Sequence, residues 1–427
     1  MRYVRPAERV FFPLDKELEL LPGELSATLA EGLVRLGTRM PFAQAAEHLA
    51  FFWGVAVDET TVRRHTEAAG AAYVAEQAAE VQWLEQQRPP APLGPTVQYL
   101  SADGAMVPLR HGQWAEVKTL AIGRVQQRLG PDGTAETHTT DLSYFSRLAE
   151  AETFTRLAYV EAYRRGTESA GVVCAVQDGA EWLQGVVDVL RPDAVRILDF
   201  PHAVEHLTAA AAPVLGLGTP SLQAWLDQQA HTLKHAPDGA RQVIGAVAQL
   251  AVETAADPRA ARAARDGAIA YFTKRLGQVQ YVSFQAAGYP IGSGSTESAN
   301  KVVVEARLKG SGMHWARPHV NPLVALRTVA CADRWAASWP RITAQLRTEA
   351  DRRRHARRQP RQPLPTLTPV QQARPVVLPG SAPAVAPRPA AAPRTKTIVD
   401  GRPTSAHPWK RYPLLTGNHQ APQAAGY

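Results

Sequence analysis

The segment Gln87-Arg-Pro-Pro-Ala-Pro-Leu-Gly-Pro constrains the fold more than any other stretch of the chain. Prolines this dense remove the N–H donors a helix needs and clash with its preceding turn, so no helix runs through them. Before this linker the apolar spacing is helical. Leu29, Leu33 and Leu36 recur at three to four residues, as do Ala45, Leu49 and Phe52, so residues 15 to 88 read as helices. Pro41 suits the first turn of the second helix, which ends near Gly54, and Asp58 suits the N-cap of the third, Glu59 to Ala69, before Gly70. A short turn followed by a helix carrying Arg63, Arg64 and His65 is the pattern of a helix-turn-helix that meets DNA, or of an ordinary helical hairpin.

After the linker the pattern is β-like. Thr96 to Ala102, Trp114 to Val125 and Thr137 to Phe145 read as strands, with Gly130-Pro-Asp-Gly as turn chemistry between the last two. Then helix Glu152 to Arg165, strand Val172 to Val176, helix Trp182 to Leu190, strand Val195 to Leu198 and a helix from about His202 follow. Three hairpin-linked strands, then helix, strand, helix, strand, predict an α/β fold with a ribonuclease-H-like mixed sheet. The expected plan is 1–88, all-helical; 96–217, first part of the core; 218–285, a helical insertion rich in Ala, Gln and Arg; 286–340, completion of the core; and 341–427, a tail. The tail starts with seven arginines between Arg347 and Arg361 and turns rich in Pro, Ala and Gln, a composition that predicts disorder.

Three carboxylates stand where charge is costly without a use. Asp103 follows the first predicted strand, Asp178 the fourth, and Glu297 lies in Ile291-Gly-Ser-Gly-Ser-Thr-Glu-Ser-Ala-Asn, a glycine-rich loop that opens a long helix capped by Ser295. In the predicted sheet the first and fourth strands are parallel neighbours, which brings Asp103 and Asp178 to one edge. Two carboxylates at about 4 Å repel by roughly 4 kcal/mol at an effective dielectric near 20. A divalent cation reverses that sign, and oxygen donors select Mg²⁺ or Mn²⁺. One Asp-Gly alone is common turn chemistry, and Glu297 alone suits a helix N-terminus; two Asp-Gly pairs on adjacent strands favour the metal reading. Asp199 also ends a strand and competes with Asp178 for the second position. The fifth strand lies one further out, which favours Asp178. His202 and His206, four apart on one helix, lack a third zinc ligand and suit a supporting role beside the sheet edge. Lys301, Arg307 and Lys309 suit a nucleic-acid backbone, and Trp315 a core position.

The net charge of +8 points to an anionic partner, and basic residues spread along the chain point to nucleic acid rather than a membrane surface. Cys174 and Cys331, isolated, form neither a disulfide framework nor a Cys-x-x-Cys zinc site. No stretch approaches the roughly 18 to 20 apolar residues of a membrane span, and Met1 to Val10 holds no apolar signal core, which together predict a cytoplasmic protein.

At these residues the chain resembles bacterial insertion-sequence transposases of the DDE class, most closely the Mutator-related ISKra-four family. The likeness rests on Ser101-Ala-Asp-Gly, Val176-Gln-Asp-Gly-Ala, Ile197-Leu-Asp-Phe-Pro-His-Ala-Val-Glu-His, and the Ile291 stretch with Glu305-Ala-Arg-Leu-Lys-Gly-Ser-Gly-Met-His-Trp, and it spans most of residues 10 to 340. The resemblance implies Asp103, Asp178 and Glu297 as a metal-binding triad, and Asp199 with His202 as the family's D-x-x-H element. It implies Mg²⁺-dependent cleavage at the ends of a DNA element, joining of the 3′-hydroxyl to target DNA, and a homo-oligomer assembled on DNA. Many DDE enzymes carry a basic residue seven positions after the glutamate; here Val304 stands there, flanked by Lys301 and Arg307. The rival expectations are a ribonuclease-H-like nuclease without joining activity, and a non-catalytic DNA-binding protein derived from a transposase.

Overall fold

The computed structural model describes residues 25–131 and 133–358, with the backbone of residues 3–5, 9–11, 398–399 and 402–403, which form two short antiparallel ladders. The disorder expected from Gln362 onward falls outside the described residues, apart from 398–399 and 402–403, which pair as a short ladder instead. At the centre is a mixed sheet of β1 (Val97–Pro108), β2 (Trp114–Leu129), β3 (Ala135–Arg147), β4 (Val172–Gln177) and β5 (Val195–Leu198), in the order β3-β2-β1-β4-β5. β1, β2 and β3 pair antiparallel, while β1 with β4 and β4 with β5 pair parallel. The neighbourhood expected for the first and fourth strands is therefore present, with the fifth one place further out.

The helices are α1 (Ala27–Arg39), α2 (Phe42–Trp53), α3 (Glu59–Gln87), α4 (Ala151–Arg164), α5 (Glu181–Leu190) and α6 (Phe200–Leu215), then α7 (Pro220–His235), α8 (Gly239–Ala248), α9 (Pro258–Lys274) and α10 (Tyr281–Ala286). α11 (Gly294–Ala299) runs on through a π-helical stretch, Asn300–Glu305, to a last turn, Ala306–Leu308; α12 (Arg317–Cys331) and α13 (Trp335–Arg358) follow.

Pleat alternation sorts the sheet's side chains between two cores. Tyr99, Cys174 and Val176 face a layer built from α6 to α10, which covers the segment expected as a helical insertion. Leu100, Ala102, Val173 and Ala175 face α4, α5 and the end of α3. A third core joins α1, α2 and α3 to α12 and α13, to Ala105 and Val107 of β1, and to Val303, Val304 and Leu308 after α11. The segments divided at 88, 217, 285 and 340 thus pack within one compact unit, residues 1–360.

Three helix expectations need correction. α3 does not stop before Gly70 but spans 29 residues. Its buried positions, among them Val62, Thr66, Ala69, Tyr73, Gln77, Val81 and Leu84, keep a helical period throughout. Gly70 is interior because the Pro322 carbonyl of α12 passes where a Cβ would stand, 2.1 Å away. The basic run from Arg347 begins within α13 rather than in a tail. Trp335, Trp339, Ile342 and Leu346 anchor that helix at three- to four-residue spacing, and arginine is a good helix former. Ser295 does not cap α11: the N-cap is Ser293, and Ser295 lies inside the helix.

Candidate active site

Asp103 stands within β1, not after it, because the hairpin pairing with β2 continues to Pro108↔Trp114. Asp103-Gly104 is therefore no turn. The parallel ladder with β4 ends earlier, at Leu100↔Ala175, so Asp103 lies just beyond it on the open edge of that pair. Period-two alternation from Tyr99 puts Asp103 on the face covered by α6 to α10. Its Oδ1 accepts the Gly104 N–H at 2.6 Å and its Oδ2 accepts from Asn300 Nδ2 at 2.8 Å. Burial raises the Asp103 carboxyl above its ordinary value; these two bonds oppose the rise, and the neighbouring Asp178 charge adds to it. That influence of Asp178 marks the two aspartates as electrostatic neighbours, as the strand order requires.

Asp178 follows β4 in a turn. Gly179 has φ of +88°, and Asp178 Oδ1 accepts the Ala180 N–H at 2.8 Å, an Asx-type turn. Among the described residues no other donor is recorded at its carboxylate. Asp199 is different. It is almost fully buried and N-caps α6, where its Oδ2 accepts the His202 N–H at 3.1 Å. Its Oδ1 accepts the Ser293 N–H. Both oxygens are thus used to fix α6 and the loop before α11, whereas the Asp178 carboxylate keeps one oxygen open. The side chain of His202 is half-buried, with Nδ1 3.0 Å from Glu205.

The glutamate helix is held to β1 by a buried hydroxyl pair, Tyr99 Oη and Thr296 Oγ1 at 2.9 Å. Burial pushes the Tyr99 hydroxyl up to about 12, so it stays a neutral hydrogen-bonding group. Glu297 itself faces outward: it is 65% exposed, and its Oε1 accepts from Lys301 at 2.6 Å. That bond holds its carboxyl below the ordinary value. The group that reaches Asp103 from this helix is instead Asn300, three residues on, at the start of the π-helical stretch. Such π stretches are rare and frequent at functional sites. Among the described residues, no three His, Cys, Asp or Glu side chains stand close enough to hold a metal ion. The expected triad is thus an aspartate pair with its glutamate turned aside.

The donor set still suits a hard cation. Mg²⁺ is commonly held by one or two carboxylates, with water and substrate phosphate completing its shell. Asp103 and Asp178 supply two. Beside them the Asn300 Oδ1 is buried and without a hydrogen-bond partner, a further hard oxygen donor.

Of the residues expected to contact DNA, Arg63 and Arg64 are exposed on the first turns of α3, whose N-terminus is capped by Asp58 through Thr61 N–H at 2.6 Å. Lys301 and Lys309 are exposed and paired with Glu297 and Glu305 at 2.6 and 2.5 Å. Arg307 is a correction. It is 2% exposed, donates from Nε and Nη2 to the Gly37 carbonyl at 3.2 Å, and lies over the rings of Phe42 and Trp315. Its stem and fork join the third core and leave nothing for a phosphate. Trp315 is a core residue as expected, its indole N–H bonded to the Leu308 carbonyl at 2.9 Å.

Sequence reasoning missed Asn300, Tyr271 and Arg275. Asn300 carried only its place in the motif, three residues after Glu297; that it and not the glutamate turns towards Asp103 is set by the fold. Tyr271 and Arg275 carried no signal; they belong to α9 and its C-cap and reach the Asp178 turn only through the fold. No protein-family model matches this chain, and neither does any curated protein. Among the described residues no helix is long and apolar enough to cross a membrane.

Proposed function

We propose that the chain is a DDE-class DNA transposase with a ribonuclease-H-like core, acting on double-stranded DNA in the cytoplasm as a homo-oligomer that joins two element ends. The observation that carries this reading is the placement of Asp103 and Asp178 beyond the ladder of two adjacent parallel strands, on one face, within electrostatic reach of each other. The Asp103 and Asp178 carboxylates would hold Mg²⁺ or Mn²⁺, which when bound activates water and stabilises charge on the entering and leaving phosphodiester oxygens. Asn300 fixes the Asp103 carboxylate by its amide donor. Asp199 fixes the α6 N-terminus and the loop that presents α11. Glu297 would complete the acid set on leaving Lys301, whose exposed ammonium a DNA phosphate can take up in its place at little cost. Cleavage frees a 3′-hydroxyl at the element end, and that hydroxyl attacks a phosphodiester of target DNA; no covalent protein–DNA link is required.

Asp103→Asn, Asp178→Asn and Glu297→Gln are each expected to abolish Mg²⁺-dependent cleavage of DNA bearing the element ends while still unfolding in one cooperative transition no lower than that of wild type. Full activity in any one of them removes that residue from the machinery. Cleavage without joined products would assign a nuclease instead. The outward Glu297 favours a second reading, a non-catalytic DNA-binding protein, which predicts DNA binding with no divalent-cation binding in calorimetry.

A further inference from the structure

The carbonyls of Asp178 and Gly179 lie beyond the β4–β5 ladder, which ends at Gln177↔Leu198. Both are nonetheless satisfied, by side chains from the end of α9. The Tyr271 hydroxyl donates to the Asp178 carbonyl at 2.9 Å, and Arg275 Nη2 donates to the Gly179 carbonyl at 2.7 Å. The two donors are aligned by stacking. The Tyr271 ring lies 3.7 Å from the His206 ring at 24°, and the Arg275 guanidinium lies 3.9 Å from the Tyr271 centroid. Gly179 makes room for them: a Cβ there would stand 2.5 Å from the Tyr271 hydroxyl and 2.9 Å from Arg275 Nε. The glycine of this Asp-Gly pair therefore serves a close approach as well as a positive φ. The same turn carries the functional carboxylate, because Asp178 Oδ1 is bonded to the Ala180 N–H. Whatever fixes the turn fixes the carboxylate.

We infer that Tyr271 and Arg275 are positioning residues: the helical segment 218–285 aims the Asp178 carboxylate by holding the two carbonyls of its turn, and so sets the divalent-cation affinity of the Asp103–Asp178 pair. The inference rests on the reading of that pair as a cation site. Groups that orient a metal ligand typically change affinity about 10- to 100-fold when removed. Tyr271 and Arg275 act one bond further back, through the main chain, which places them at the lower end of that range.

The test is Mn²⁺ binding to the full-length protein, followed by the loss of the free-ion electron paramagnetic resonance signal, with a thermal melt on each sample. Wild type binds Mn²⁺, and Asp103→Asn and Asp178→Asn lose it. Tyr271→Phe, which keeps the stacked ring and deletes only the hydroxyl, weakens binding about 10-fold with an unchanged melt. Arg275→Gln does the same, and Arg275→Lys, which retains a cationic donor, weakens it less. A role in stability alone would lower the melting temperature and leave Mn²⁺ affinity untouched in the cold. Wild-type affinity in Tyr271→Phe and Arg275→Gln, with binding still lost in Asp178→Asn, overturns the positioning role alone. If Arg275→Gln does not fold, Tyr271→Phe decides. A wild type that takes up no Mn²⁺, or aspartate variants that bind it as tightly as wild type, overturns the cation site and the positioning role with it.

Discussion

A carboxyl held above its ordinary value binds its proton more tightly in the folded chain than in the unfolded one, and Asp103 is such a group. The sign of its effect on stability follows from linkage. Below the ordinary carboxylate range Asp103 is neutral in both states and costs nothing; as pH rises through that range to the raised folded value, ionisation favours the unfolded chain and stability falls. Asp103→Asn removes this slope. It should melt higher than wild type near neutral pH and converge with it in acid, read from melting temperatures across a pH series. A difference between the two that does not change with pH would show that burial and the Asp178 charge do not act on Asp103 as described. Asp199, more deeply buried, has both oxygens met by backbone N–H groups. The two residues were alike in sequence, each an acid ending an apolar run. Only the packing of the loop at residues 291–293 onto α6 separates them, and that contact joins residues 94 apart.

Among the elements, α3 ties the N-terminal helices to α12 through Val62, Ala69, Ala72 and Tyr73, and its end packs against α4 and α5. α3 and α12 come close at Gly70, where a Cβ would meet backbone rather than a movable side chain. Gly70→Ala should therefore destabilise by about 1–3 kcal/mol through overpacking, although alanine is the better helix former. Urea unfolding reads the change, and a gain in stability would show that α12 yields. The start of α3 was legible from Asp58 and the first apolar repeat because capping and amphipathic period are local. Its length was not, since a glycine in mid-helix looks like a stop until the crossing helix that needs it is seen. The same limit applies to β1, which was expected to end at Ala102, just before Asp103, and in fact continues with Asp103 and Gly104 paired to Thr119 and Lys118 of β2.

At the scale of the whole molecule, five strands in the expected order were recoverable because each carries its own pattern, and with them the meeting of Asp103 and Asp178. Glu297's outward setting, the Asn300 contact and the Tyr271–Arg275 contact were not, because they depend on a π-helical stretch and on residues far apart in the chain. DNA recognition belongs to this scale too. Arg63 and Arg64 are exposed at the start of α3, and in the proposed function each neutralises a phosphate. Replacing both with alanine should weaken binding to duplex DNA and lower the slope of log affinity against log salt by about 2. An unchanged slope would return α2 and α3 to an ordinary helical hairpin. The shared third core has a consequence for inheritance. Arg307, six residues past Lys301, grips the Gly37 carbonyl of α1, and Val303, Val304 and Leu308 pack with the same helices. If the proposed function holds, recognition and chemistry are thus not interchangeable cassettes. A lineage that exchanged residues 25–88 for another reader of DNA would also have to exchange the stretch around Arg307, so the two segments should be inherited together.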